Sequence, residues 1–572
     1  MKLYKLGKIL EKREMKNMRI SRRKALSTTA KVATAAALTG IIGGIAGYFA
    51  GTTGAAPSGE TVTRTVRETV TQTVGGAGAQ TVTQTVTQTV TQTVTAATPT
   101  AVRPELSITF ASPEWLPGRL TGLIAEGFTA WSKANIGKAV QVKMDLIPWD
   151  AIFDRLSTTL AAKSKEPSLL ISDSQWLGQF YVGGHIRRLN DIIEKDPELQ
   201  QLLNRFDESL IYFYMTFPQG NKNNIVGFAH EGDVLLFAYR EDLFTHPAER
   251  ENFKAKYGYD LPQKYEDWYP AQLDWYQIRE IAEYFTRKAG DELAGRRLEQ
   301  DFYGIALHMS RAYDSIACPF GTLLYVHGEY WWDPETGQVD GYINSPIAKQ
   351  ALDFYKSLIK YSPPNALEIW FDEANSVMQA GRVAMIYNWA GFLPSLFDPT
   401  ASKVYNVVKV VPPPGHKGAD GIFRRYSNIG GQPMCINAYS DHAQEALAFI
   451  KYWFLPENQK RWAEGGGGVC LKDIIQTSWF RNLTPYNRAY ADSIAFQVDF
   501  WNVPFFFEML TAVQEEIHSA LAGTTDTAVA LDNLARRHRE IIERENYPAA
   551  FQKYGKPAKN VAELIRRGLP IG

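Results

Sequence analysis

Residues 105–115 read "ELSITFASPEW", a short strand that runs into a loop. The alternation beyond it decides the fold. "LTGLIAEGFTAWSKA" (120–134) spaces its apolar residues as a helix does, and "VQVKMDLIP" (140–148) is a second strand. "AIFDRLSTTLAAKS" (151–164) is again helical, and "PSLLISDSQW" (167–176) is an apolar strand ending in polar residues. Strand, helix, strand, helix, strand is the order of a parallel α/β sheet. Such sheets meet their ligands at the loops beyond the carboxyl ends of the strands. Here those loops carry Glu114, Trp115, Asp173 and Trp176.

Outward from this unit, size and charge set the bounds. Residues 105–572 are more than a single core can bury, so two packed lobes are expected. Lys+Arg and Asp+Glu each total 61, a net charge of zero, which argues against nucleic acid as a partner because phosphate binding needs a basic excess. Aromatic residues make up 12% of the chain, with 14 Trp and 28 Tyr, enough to supply flat apolar faces to a ligand as well as to a core. Three cysteines, Cys318, Cys435 and Cys470, are too few for a disulfide scaffold and leave room for one bridge and one free thiol.

The N-terminal part has a different character. Residues 1–31 are basic, and from Val32 to Gly59 there is no charge at all. Basic residues stay on the cytoplasmic side, so the apolar segment (32–54) carries the rest of the chain outward. "SRRKALS" (21–27) resembles the twin-arginine export signal at Ser21, Arg22, Arg23 and Leu26, with Ala25 where that motif has Phe; a positively flanked membrane helix on the general export route is the alternative. Val32 to Ala50 is at the lower limit for spanning a bilayer, roughly 17–25 residues. No clean small-x-small cleavage site comes after it, and no Cys precedes Cys318, so a retained anchor is preferred to a lipid-modified terminus. A start at Met18 would leave a more ordinary signal.

Between anchor and folded part stand the repeats "ETVTRTVRETVTQTV" (60–74) and "TVTQTVTQTVTQTV" (81–94), separated by a Gly/Ala stretch. Thr and Val favour extended backbone. The alternation offers no face able to bury a sizeable apolar area, and identical repeats leave a register undefined. The segment 55–104 is therefore expected to be an extended, O-glycosylated stalk rather than a packed strand.

Catalytic signatures are nearly absent. The chain has no GxxxxGK[ST], HExxH, CxxC pair or GxSxG. "HEGD" (230–233) brings Glu231 and Asp233 close, and paired carboxylates serve glycoside hydrolysis, but glycosidases draw the pair from separate elements. Gly465 to Gly468 form a run with no Lys or Ser after it, a loop rather than a phosphate cradle. Neither a catalytic residue, a metal nor a cofactor is expected.

Over most of residues 105–545 the chain resembles the extracellular solute-binding proteins of ABC importers, in the branch that binds sugars and oligosaccharides. The resemblance rests on "NIVGFAHEGDVLLFAYREDLF" (224–244), similar to the family's segment crossing between lobes, and on "SPIAKQALDFYKSLIKY" (345–361) and "WFDEANSVMQAGRVAMIYNWAGF" (370–392), similar to a helix and a strand returning to the first lobe. "GGQPMCINAYSDHAQEALAFIKYWFLPENQKRWAEGGGGV" (430–469) matches the second return, and "AGTTDTAVALDNLARRHREII" (522–542) the closing helix. The segment 267–285 is longer than the family's usual stretch, and Cys470 stands where a Pro is usual.

The resemblance implies a two-lobed periplasmic-binding-protein fold of type II, with two parallel-type mixed sheets joined by crossing hinge strands. Residues 105–228 with 381–437 would form the first lobe, and 229–380 with 438–572 the second. It implies a di- or oligosaccharide held in the cleft, with peptides, polyols and sugar phosphates as alternatives, and delivery to an ABC permease from the outer face of the membrane. A tethered glycoside hydrolase is the competing class. Position by position, the first-lobe loops offer Glu114, Trp115, Asp173 and Trp176, and the crossing segment Glu231 and Asp233. The second lobe offers Trp331 and Trp332, the return strand Asn388 and Trp389, and Gly430 and Gly431 would let backbone approach the ligand. Plainer roles stand beside these: core cover for the Trp331–Trp332 pair, a helix cap for Asp173 and for Asn388, a strand crossing for Gly431.

Overall fold

The computed structural model describes residues 62–73, 81–92 and 102–571. The chain divides into two units, Met1–Val102 and Arg103–Gly572. The basic segment 1–31 and the apolar segment 32–54 lie outside the described residues, among which no helix is long and apolar enough to cross a membrane.

In the first unit the repeats do pair. β1 (Val62–Thr73) and β2 (Thr81–Gln92) form an antiparallel ribbon, from Val62 opposite Gln92 to Thr73 opposite Thr81. Within the segment 55–104, expected to be an extended stalk, residues 62–73 and 81–92 are extended but, against that expectation, paired. The β-preference of Thr and Val is satisfied locally, with the Gly/Ala stretch falling between two copies of one repeat.

The second unit begins as its sequence pattern requires. β3 (Leu106–Pro113), α1 (Leu116–Ala125), α2 (Phe128–Ile136), β4 (Val140–Ile147), α3 (Trp149–Ala161) and β5 (Leu169–Ile171) alternate, with β3 parallel to both β4 and β5. β6 (Phe228–Glu231) ends this run and the chain crosses at Gly232–Val234 into β7 (Leu235–Arg240). α4 (Trp275–Phe285), β8 (Tyr303–Ala306), α5 (Ala317–His327), α6 (Pro346–Ser357), α7 (Phe371–Gln379), β9 (Val383–Trp389) and β10 (Val408–Val411) build the second lobe. The chain then returns through β11 (Gln432–Ile436) to α8 (Ala443–Trp453) and α9 (Pro456–Glu464), and continues through α10 (Phe506–Leu521) and α11 (Thr527–Arg544) to two short helices, Tyr547–Tyr554 and Val561–Arg566.

Two mixed sheets result. The first has the order β4-β3-β5-β11-β6 and the second β8-β9-β7-β10. In each, a strand arriving from the other side of the molecule pairs antiparallel: β11 with β5 and β6, β9 and β10 with β7. The sheet membership moves two expected boundaries. β9 and β10, which the resemblance places in a return to the first lobe, stand in the second sheet. α8 and α9, expected in the second lobe, pack on the first: Phe449 and Tyr452 of α8 meet Phe128 at ring-centre distances of 5.2 and 5.4 Å, and the Tyr452 hydroxyl donates to the Ile124 carbonyl at 2.8 Å. β9 is buried along its whole length, so its sequence carries no period to say which sheet it joins.

Candidate functional site

The carboxyl ends of β3, β5, β8 and β9 all open on one cleft between the sheets. Its inner cavity, about 30 Å³, is walled by Trp115 and Trp149 from the first lobe and by Trp370, Phe371, Trp389 and Phe392 from the second. Asp173, Asp233, Tyr313, Asp314, Gly430 and Gln432 complete it. An outer cavity of about 660 Å³ shares Trp115, Trp149, Trp370, Phe371 and Phe392, and adds Glu114, Arg119, Asp150 and Asp372 at its rim. The outer volume is within the range of ligand pockets, roughly 300–1,000 Å³.

The aromatic rings meet across the cleft. Trp115 is edge-on to Trp149 at 5.3 Å and 5.6 Å from Phe392, and Phe392 stacks on Phe371 at 4.0 Å. Trp115 ends the strand-to-loop step after β3 as the extended residue before α1, whose first turn holds Pro117. Trp389 is the last residue of β9, 5% exposed, and lies beneath Gly430, where a Cβ would come within 2.9 Å of its ring.

The carboxylates are buried beside these rings. Asp233 stands at the crossing between β6 and β7, its Oδ1 accepting from Gly391 N at 3.1 Å and Val234 N at 2.9 Å. Burial pushes its carboxyl up to about 7 against the pull of those N–H groups. Asp173 caps the short turn 174–176 by accepting from Gln175 N, so the cap and the cleft position are one residue's two roles. Burial and the neighbouring Asp314 hold it well above the usual carboxylate range. Burial also raises Asp314, to about 6.

Of the residues expected from sequence, Glu114, Trp115, Asp173, Asp233, Trp389 and Gly430 line the two cavities. Six others do not. Trp176 is 1% exposed behind Asp173, packed on Phe153 and Phe180. The Glu231 carboxylate accepts from Gly468 N with both oxygens at 3.0 Å and lines neither cavity, so "HEGD" does not present two carboxylates to the cleft. Trp331 and Trp332 belong to a core: the Trp331 indole donates to the Tyr325 hydroxyl at 2.8 Å and its ring meets Trp501 at 4.9 Å, while Trp332 packs on Trp501 and His538.

Asn388 is fully buried and donates to Asn375 Oδ1 at 2.7 Å and the Phe371 carbonyl at 3.0 Å, which sets the height of the Phe371 loop. Gly431 serves close packing, since a Cβ there would lie 2.0 Å from the buried Tyr214 ring. Gly431→Ala is expected to lower stability by roughly 1–3 kcal/mol, read by denaturant titration. Sequence reading missed Trp149, Tyr313, Asp314, Trp370, Phe371, Phe392 and Gln432. "IPWD" (147–150) gave the clearest unread signal, a Trp just past the carboxyl end of β4.

Among the described residues no group of His, Cys, Asp and Glu is arranged to hold a metal, and the three cysteines are buried and free.

The family described as bacterial extracellular solute-binding protein matches residues 119–460, more than half of the 572. The chain belongs to this family. A relative from Deinococcus radiodurans, described as a probable ABC transporter-binding protein, is 26% identical over 349 residues, 59% of this chain and 69% of its own. Among solved structures, maltose-bound MalE3 of T. maritima superposes with a TM-score of 0.60 at 20% identity, over 76% of this chain and 100% of that one. The GacH receptor of Streptomyces glaucescens, solved unliganded and with acarbose, gives 0.58 at 15% identity over 77% and 99%. The two-lobed fold is thus shared, and this solute-binding protein acts outside the cytoplasm by binding a substrate.

Proposed function

We propose that the protein captures a neutral sugar or oligosaccharide in the interlobe cleft and passes it to the membrane permease of an ABC importer. One observation carries the reading: seven aromatic rings from both lobes and three buried aspartates line one cavity. Sugar rings present C–H faces that stack on aromatics, and hydroxyls that donate to carboxylates. Arg119, at the outer rim, is the one Lys, Arg or His that lines either cavity, and Glu114, Asp150 and Asp372 share that rim, so a sugar phosphate or other anion meets an acidic lining. The names of the relatives, an ABC transporter-binding protein and proteins bound to maltose and acarbose, agree with this class. An apolar N-terminal segment after a basic one fits a tether on the outer face of the membrane, with Glu114, Trp115, Asp173, Asp233, Trp389 and Gly430 as the contact set.

Titration calorimetry and thermal melts against maltose, maltotetraose, a polyol and a sugar phosphate test the reading. A neutral sugar held at about 100 times its Kd should stabilise the protein by about 2.7 kcal/mol, and the phosphate should do nothing. Release of reducing ends from the oligosaccharide, or binding of the phosphate alone, would overturn it.

A further inference from the structure

A loop of the second lobe reaches across the cleft and fastens on the first. It comes after β8 and carries Tyr313 and Asp314. The Tyr313 hydroxyl donates to Asp173 Oδ2 at 3.3 Å and reaches Gln175 Oε1 at 3.4 Å, and Gln175 Nε2 donates to Asp314 Oδ2 at 3.0 Å. Asp173 and Gln175 come just after β5, so every one of these bonds joins the two lobes. Tyr313 has φ +32°, a left-handed backbone that a bulky aromatic rarely adopts. Gln514 holds it there through the Tyr313 carbonyl, and its ring packs near Phe507 and Trp176. Strain of this kind persists only where surrounding contacts enforce it, and it clusters at clamps and switches.

The charges around the contact share one sign. Asp173 faces Asp314 from the second lobe and Asp499 from the segment after Gln497–Val498; Cys318, at the start of α5, lies against Asp314; Asp233 looks on from the crossing. No Lys, Arg or His is bonded to any of these four carboxyls among the described residues, and Arg311 pairs instead with Glu515 at 3.6 Å. Asp173 is 3% and Asp314 6% exposed. Two carboxylates cannot both be charged at such a seam without cost, and a shared proton removes it.

We propose that Tyr313, Asp314, Asp173 and Gln175 form a proton-gated clasp, which holds the lobes closed while the aspartate pair carries a proton and releases them when it is lost. The clasp depends on the two-lobed fold and not on the identity of the solute. Its sign is set by the closed state. There, burial and mutual repulsion raise Asp173 and bring Asp314 to about 6, with Asp233 and Asp499 at about 7. Opening returns the seam to water and the aspartates toward their usual value near 3.9. Closure therefore takes up protons; it is favoured at low pH, and that advantage is lost as pH rises through about 6 to 7.

The test uses the full chain without solute, with fluorophores on cysteines placed at the exposed Lys165 of the first lobe and Lys349 of the second, the native thiols being buried. Energy transfer should fall as pH is raised from about 4 to about 8, with the loss complete by about 7. Asp314→Asn keeps an acceptor for Gln175 and removes one charge of the pair, so it should open less with rising pH than the wild type; Gln175→Ala should be more open at every pH. If Asp314→Asn fails to fold, Asp173→Asn must flatten the profile in its place. A wild-type distance that ignores pH, or a folded Asn variant that behaves as wild type, overturns the clasp. With no sugar present, that failure leaves the sugar reading standing, and a failed sugar screen leaves the clasp standing.

Discussion

Replacing Trp389 by alanine is expected to weaken solute binding about ten- to a hundredfold and to lower the stability of the unliganded protein by roughly 3–5 kcal/mol. Both effects arise from its position. One part of the ring lines the inner cavity, and a sugar that stacks there would lose a face worth roughly 1–3 kcal/mol by area. The rest is packed, with only 5% of the residue exposed and Gly430 directly against the ring, so truncation also opens a void that the neighbouring backbone cannot fill. Calorimetric affinity and the melting temperature without solute, measured on the same variant, separate the two terms. Trp389→Phe should recover much of the stability while keeping an aromatic face, and so restore part of the affinity. Unchanged affinity in the alanine variant would remove Trp389 from the site.

The fold was legible where side-chain period and element length agree. β3 to β5 stand where the strand, helix, strand, helix, strand order predicts: β4 alternates, the amphipathic α3 buries one stripe, and β5, though buried throughout, is marked by its short apolar run ending in polar residues. Legibility ended at the strands buried on both sides. "VAMIYNW" is apolar nearly throughout, and nothing in it distinguishes a partner in the first sheet from one in the second. The Thr-Val repeats failed for the opposite reason. Their regularity argued against any fixed register, yet two copies of one pattern separated by Gly and Ala are also what an antiparallel ribbon needs.

For the site, three residues at the carboxyl ends of strands do line the cleft, since loops there face it whatever their sequence: Trp115 after β3, Asp173 after β5 and Trp389 closing β9. Trp149 and Gln432 adjoin strands and went unread, but most of the other missed residues come from loops with no adjoining strand signal. Trp370 and Phe371 begin a helix, and Tyr313 and Asp314 stand in a loop whose reach depends on a backbone angle that sequence does not announce. Trp331 and Trp332 mislead because adjacent tryptophans look alike in a core and on a sugar-binding wall. Burial decides between the two, and burial is a tertiary property.

That distinction sets the second large effect. Trp331→Ala should cost roughly 3–5 kcal/mol of stability and leave solute affinity unchanged within a factor of about two. Trp331 is wholly buried, its ring held between Phe320 at 5.6 Å, Phe500 at 5.9 Å and Trp501 at 4.9 Å, none of which lines the cleft. Its indole N–H satisfies the Tyr325 hydroxyl, which after truncation keeps only a long bond to the Asp499 carbonyl, at 3.4 Å. The lost area, the cavity and the weakened hydroxyl act in the same direction. Trp331→Phe should lose less, by refilling most of the volume, but without restoring the donor. Denaturant midpoints at constant slope report the stability, and calorimetry on the folded variant reports the affinity. The pair Trp331→Ala and Trp389→Ala then forms an internal contrast, two buried tryptophans of similar cost of which only one touches the cleft. A tenfold loss of affinity in Trp331→Ala at an unchanged midpoint would return the Trp331–Trp332 pair to the binding wall.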